Sequence, residues 1–314
     1  MLKFWRNPEF VRHVRSELRP ARAMSVALVV LFLCGLIGLA CWSEQQSIVE
    51  NAQQNARIYG GKWEEHVQRI VADSPHQTWL MFCRWLFGLQ AGLVVLWSLL
   101  MCSQSVSTER DRKTWDFQRT TSLTAAELAI GKVLGEPVLA YFGMLCALPV
   151  TMVAGLGARF SVWNILNGYM GLIACALFLG LCGLWLSILI EHRGRSVGLI
   201  GAAVVYAVVL SMYGFANSWF PGLAAFSPFS VLYRILGLDF EGRGYVPPML
   251  LGHAVPWLLV SLLLDVSFGA WLVVMVLRNL KRDYPDIRPL SRWQAVGCAV
   301  KQTNPRRPLR GLDA

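Results

Sequence analysis

Charged residues are scarce in this chain: only 15% of its 314 positions are Asp, Glu, Lys or Arg, against roughly a quarter in an ordinary soluble domain. The few charges gather between long apolar runs, a distribution that excludes a soluble globular chain. Histidines are kept out of those runs. His13, His66, His76, His192 and His253 all fall at run ends or in connections, so no Ser/His/Asp set can be assembled. Glu64, Glu65 and His66 are consecutive and do not share a helical face, which argues against a metal site there. A phosphate loop G-x-x-x-x-G-K-[ST] is also missing. Gly131-Lys132 is followed by Val133, and position 126 holds Ala, so the chain is not expected to hydrolyse ATP or to carry a cofactor itself. The first apolar run begins near Met24, is long enough to span and ends without a small-residue cleavage site, so insertion through an uncleaved first helix is expected. Of the 8 cysteines, Cys34, Cys41, Cys83, Cys102, Cys146, Cys175 and Cys182 lie in or beside apolar runs and Cys298 in a basic tail. They read as inert thiols rather than as a disulfide framework.

What is plentiful is apolar sequence: 55% of the residues are hydrophobic and the mean hydropathy is +0.46. About twenty apolar residues cross a bilayer as a helix. Six stretches qualify, at 23–42, 79–102, 133–155, 165–190, 197–215 and 254–277. The expectation is an all-α membrane protein with a 1–22 arm, a six-span domain over 23–277 and a basic tail over 278–314. Short links at 157–164 and 191–196 make the third to fifth spans antiparallel neighbours. Lys and Arg stay on the cytoplasmic side. Lys3, Arg6, Arg12, Arg15, Arg19 and Arg22 fill the arm, Arg110, Arg112, Lys113, Arg119 and Lys132 the second connection, and Arg193 and Arg195 the fourth. The tail from Arg278 is basic as well, so both termini are predicted to be cytoplasmic. The net charge of +10 thus borders spans and faces lipid, which disfavours a nucleic-acid partner. Arg84, inside the second span, is placed to snorkel outward.

Two cytoplasmic segments carry pattern. In the arm, Asn7 and Pro8 suit the N-cap and first position of a helix. Phe10, Val11, Val14 and Leu18 then share one face while Arg12, Arg15 and Arg19 point away, which predicts an amphipathic helix anchored at the membrane interface. The segment 108–135, TERDRKTWDFQRTTSLTAAELAIGKVLG, is too polar to span and too long for a turn. Thr124 and Glu127 form a capping-box pattern, so a helix should start at Ala125 and run into the third span. A separate charged helix over 109–119 and a break at 120–123 would precede it. By physics alone, a docking element and a plain solvated loop are equally good readings of this segment.

That segment resembles the loop between the second and third spans of permease subunits of ABC type-2 transporters, whose pattern runs roughly E-R-E-R-G-T-L-E-L-L-L-T-T-P-L-S-x-x-E-I-x-x-G-K-x-L-G. Glu109, Arg110, Arg112, Thr114, Thr120, Thr121, Leu123, Glu127, Gly131, Lys132, Leu134 and Gly135 match, and Asp111, Asp116, Thr124 and Leu128 are conservative matches. Lys113 stands where the pattern has Gly, Ser122 where it has Pro, and Arg119 where it is apolar. The Asn-Pro arm is similar to that of many such permeases. The resemblance implies that 109–132 holds a coupling helix contacting a separate ATP-binding subunit, on which ATP and Mg would sit. A second permease subunit, identical or related, completes the expected assembly in the cell membrane.

Outside, 43–78 reads as a polar connection with a short helix at 63–71, and 218–253 as one holding a re-entrant or interfacial helix at 229–236. Asp265, near the middle of the last span, reads equally as a pathway-lining acid or a helix-packing contact. Glu136, beside Pro137, reads as an interfacial residue at a helix entrance. The expected function is the permease of an ATP-driven exporter. A non-transporting scaffold with the same fold, a stand-alone secondary transporter and a membrane-embedded enzyme are the alternatives. The substrate is not legible, because the spans are generic apolar helices.

Overall fold

The computed structural model describes residues 7–59, 62–114, 123–189, 200–207, 249–250, 253–254 and 257–283. Within these the chain is helical apart from two two-residue strands, Met249–Leu250 (β1) and His253–Ala254 (β2), which pair antiparallel. The helices are α1 (Pro8–Glu17), α2 (Pro20–Tyr59), α3 (Lys62–Asp111), α4 (Ala125–Gly135), α5 (Val138–Gly157), α6 (Val162–Leu189) and α7 (Trp257–Asp283).

Five of them, α2, α3, α5, α6 and α7, are long and apolar enough to cross a membrane. The expected span at 197–215 lies largely outside the described residues, of which 200–207 are helical. The expected re-entrant helix at 229–236 and the tail beyond Asp283 also lie outside them. Around the bundle, large apolar side chains face outward: Leu39 is 68% and Val266 67% exposed. No aqueous surface would hold so many bare aliphatic groups, so lipid surrounds them.

The polar connection at 43–78 is a helical hairpin rather than a loop. Its Gln, Glu, Ala and Arg residues have good helix propensity, so α2 extends to Tyr59 and α3 already begins at Lys62. With 40 residues in α2 and 50 in α3, the two helices run about 60 and 75 Å at 1.5 Å per residue. Both project well past an apolar core of about 30 Å. The sequence 63–71 is therefore part of α3 and not a separate short helix.

Helix α3 is the central post, packing against α6, α2 and α5, while α7 lies on α6 and α1 on α4. Where α3 meets α6, Gly183 permits near backbone contact. A Cβ there would sit 2.5 Å from Leu99 O and 3.1 Å from Ser103 N. One turn on, the Ser187 hydroxyl accepts hydrogen bonds from Val106 N (3.1 Å) and Ser107 N (3.2 Å). Small residues four apart allow this approach. A buried polar knot ties three helices: Gln90 Nε2 donates to Thr151 Oγ1 (2.8 Å) and the Tyr169 hydroxyl donates to Gln90 Oε1 (3.0 Å). Paired in this way, the three groups escape the cost of bare polar atoms among apolar neighbours.

Two differences from the sequence reading bear on function. Helix α3 continues through Glu109, Arg110 and Asp111, so these residues end a span and do not open a separate charged helix at 109–119. Helix α4 does not run into the third span, because Glu136 and Pro137 separate it from α5, and Pro137 has no N–H to continue the ladder.

Candidate functional site

At the end of the bundle shared by α1, α4 and the C-terminus of α3, local sequence signals set each element. The Asn7 side chain accepts from Glu9 N (3.0 Å) and Phe10 N (3.4 Å), capping α1, with Pro8 in the first turn. In α4 both halves of the capping box are made: Thr124 Oγ1 accepts from Glu127 N (3.2 Å), and Thr124 N donates to Glu127 Oε2 (3.0 Å). Ala125, Leu128, Ala129 and Val133 then bury one face of α4 in a cluster with Val106, Leu184, Val276 and Leu280.

The other face of α4 receives the arm. Asn7 Nδ2 donates to Glu127 O at 2.6 Å, joining residues 120 apart in sequence. Gly131 and Gly135, one turn apart on one face, form a trough beneath α1. A Cβ on Gly131 would lie 2.7 Å from Glu9 Cβ, and one on Gly135 would lie 2.9 Å from His13 Cδ2. The amphipathic arm expected to lie on lipid thus turns part of its surface onto protein, with Asn7 and Glu9 buried.

A compact ion cluster closes this contact. Lys132, wholly buried, places Nζ 2.5 Å from Glu109 Oε2 and 3.8 Å from Glu9 Oε1. Arg12 reaches Glu9 Oε1 at 2.6 Å and Glu109 Oε1 at 3.2 Å from above. His13 Nε2 lies 3.3 Å from Glu9 Oε1 and 3.7 Å from Glu136 Oε1, so Glu136 borders the arm as well as the helix break. Burial alone would raise the Glu9 carboxyl. The His13 hydrogen bond and the charges of Lys132 and Arg12 outweigh it and hold the carboxyl below its ordinary value. Burial works against the Arg12 guanidinium too, yet Glu9 and Glu109 raise its pKa further. A buried pair of this kind adds little net stability but fixes which partner sits where, here the register of α1 on α4 and α3.

The last turn of α3 ends in a Schellman motif. Thr114 N donates to Glu109 O (3.0 Å) and Lys113 N to Arg110 O (3.0 Å), with Lys113 in the left-handed region at φ 57°. Position 113 is where the resembling pattern has Gly, the residue that adopts this conformation without strain.

The sequence-predicted residues therefore separate into two groups. Glu109, Gly131 and Lys132 are buried and joined to the arm, and Glu127 caps α4. Arg112 and Thr114 are exposed on the turn after α3, Arg110 and Leu123 are half-buried, and Thr120 and Thr121 lie outside the described residues. Asp265 is buried on α7, away from this cluster. Not legible in the sequence were the parts of Asn7, Glu9 and His13 in gripping α4 and the break after it, of Arg12 in reaching Glu109 of α3, and the Gln90 knot. The four-residue spacing of Gly131 and Gly135 and the lone Gln in an apolar span were the available signals.

Among the described residues, no group of three or more His, Cys, Asp or Glu side chains is arranged to hold a metal ion. The family model described as "ABC-2 type transporter" matches residues 1–237. No curated protein and no solved structure matches the chain.

Proposed function

Because the chain belongs to the ABC-2 type transporter family and is thus a multi-pass membrane permease, we propose that it is the membrane subunit of an ATP-driven exporter in the cell membrane. Both chain ends face the cytoplasm in this reading, and a sixth span falls at 197–215. A second permease subunit completes the pathway, since one bundle of this size seldom encloses one. Separate ATP-binding subunits carry ATP and Mg, and this chain contributes no catalytic group.

The observation that carries the coupling assignment is the buried Lys132–Glu109 pair. It joins the end of a span to the helix after the break, and Glu9 and Arg12 bind the arm to the same point. Force applied at the exposed turn Arg112–Thr114 would pass into α3 and, through α4 and Pro137, into α5. Docking by the ATP-binding subunit is accordingly assigned to Arg112, Lys113, Thr114 and the segment 115–122, with Glu109 and Lys132 transmitting rather than touching the partner. Co-expression with the ATP-binding subunit tests this. Arg112→Glu should abolish co-purification while the chain stays folded, and ATP-dependent transport into inverted vesicles distinguishes an exporter from a scaffold. Undiminished binding by Arg112→Glu, or no transport by the assembled complex, overturns the respective half.

A further inference from the structure

Helix α1 meets α4 on one side only. Glu9 and His13 sit over Gly131 and Gly135, and Arg12 turns toward Glu109 of α3. At about 3.6 residues per turn, Phe10, Val11 and Val14 turn away from this trough, and all three are half-buried. The flank between the two faces is basic. Arg12 already has Glu9 and Glu109 as partners, and Arg22 has Glu17 at 3.2 Å. Arg15 and Arg19 are exposed, and among the described residues no carboxylate comes within ion-pair reach of either.

Two neighbouring spans fix the depth of these guanidiniums. His13 lies 3.7 Å from Glu136, just before α5 begins at Val138, so the last turn of α1 is level with the foot of that span. Helix α2 then starts at Pro20, and its sequence carries no charge from Ala23 to Ser43. Arg15 and Arg19 therefore stand where lipid headgroups border the apolar layer, beside the apolar flank of α1. Basic and apolar flanks together at that depth suit a bilayer interface. A zwitterionic surface offers two unmatched cations no net charge, whereas an anionic one attracts both. We propose that Arg15 and Arg19 bind the anionic phospholipid surface on this side of the membrane and so help to hold α1 in its trough. Lipid and protein take different faces of the helix, so the two contacts are made together. Leaving α4 would turn Glu9 toward the same anionic surface, and the contacts therefore reinforce each other. An acidic protein shares the charge but does not lie at the foot of two spans.

Amide exchange of the full chain in nanodiscs of phosphatidylcholine, or of equal parts phosphatidylcholine and phosphatidylglycerol, tests this. Exchange across Pro8–Glu17 should be slower in the anionic discs by about 5- to 25-fold, the range for one or two basic residues near such a surface. Arg15→Gln with Arg19→Gln should abolish the difference, and Arg15→Lys with Arg19→Lys, which keeps the charges, should retain it. Both positions are exposed, and a mere loss of helix support would change exchange in the two lipids alike. Arg57→Gln with Arg69→Gln, an equal charge loss at exposed positions toward the far ends of α2 and α3, should leave the difference intact. Equal exchange in the two lipids, faster exchange in the anionic discs, or a difference that outlasts Arg15→Gln with Arg19→Gln overturns the proposal.

Discussion

Lys132 Nζ lies 2.5 Å from Glu109 Oε2 although the lysine has no exposed surface at all. The pair spans 23 residues and the break between α3 and α4, and Glu9 and Arg12 complete the cluster around it.

Removing one partner should therefore hurt more than removing both. Lys132→Met leaves Glu109 and Glu9 buried without their cation and should destabilise the protein by about 3–5 kcal/mol. Adding Glu109→Gln should recover part of that loss. Thermal unfolding of the solubilised protein gives the double-mutant cycle, and strictly additive losses would show that the pair is not coupled.

Gly131 and Gly135 should be intolerant of alanine, because each Cβ meets an arm atom within 3.0 Å. Overpacking of this kind costs about 1–3 kcal/mol. Gly131→Ala should accelerate amide exchange across Pro8–Glu17, with little change in α5 and α6.

Lys113→Gly should stabilise the end of α3 by about 1 kcal/mol, since a side chain at φ 57° carries a left-handed backbone cost that glycine avoids. Lys113→Ala should bring no such gain. Slower amide exchange over the last turn of α3 in the glycine variant alone is the expected result.

The arm should loosen in acid. The Glu9 carboxyl is depressed in the folded protein, so its contribution is complete above its ordinary value of 4.5 and is lost as pH falls through the lowered one. Limited proteolysis at Pro8–Glu17 should stay constant from pH 7 to about pH 5 and rise below 4.5. Glu9→Gln should flatten that rise.

How much could be read in the sequence depended on distance along the chain. The caps at Asn7 and Thr124 were legible because each side chain reaches only two or three residues on. The Asn7–Glu127 contact was not, because it joins residues 120 apart and the amphipathic arm offered lipid as an equally good partner. Polarity correctly placed 43–78 outside the apolar runs, but polarity is not irregularity. Its residues favour helix, and α2 and α3 extend through it up to Tyr59 and from Lys62. The end of α3 was misjudged because Lys113 occupies the position where a glycine would have announced a helix stop.

The most direct test of the proposed coupling is photo-crosslinking from Arg112 or Thr114 after co-expression with the ATP-binding subunit proposed as partner, with Trp163 at the opposite end of the bundle as the comparison site. The account predicts crosslinks to that subunit from 112 and 114, altered in yield by ATP, and none from 163. Absence of crosslinks at 112 and 114, or crosslinks at 163, would contradict it.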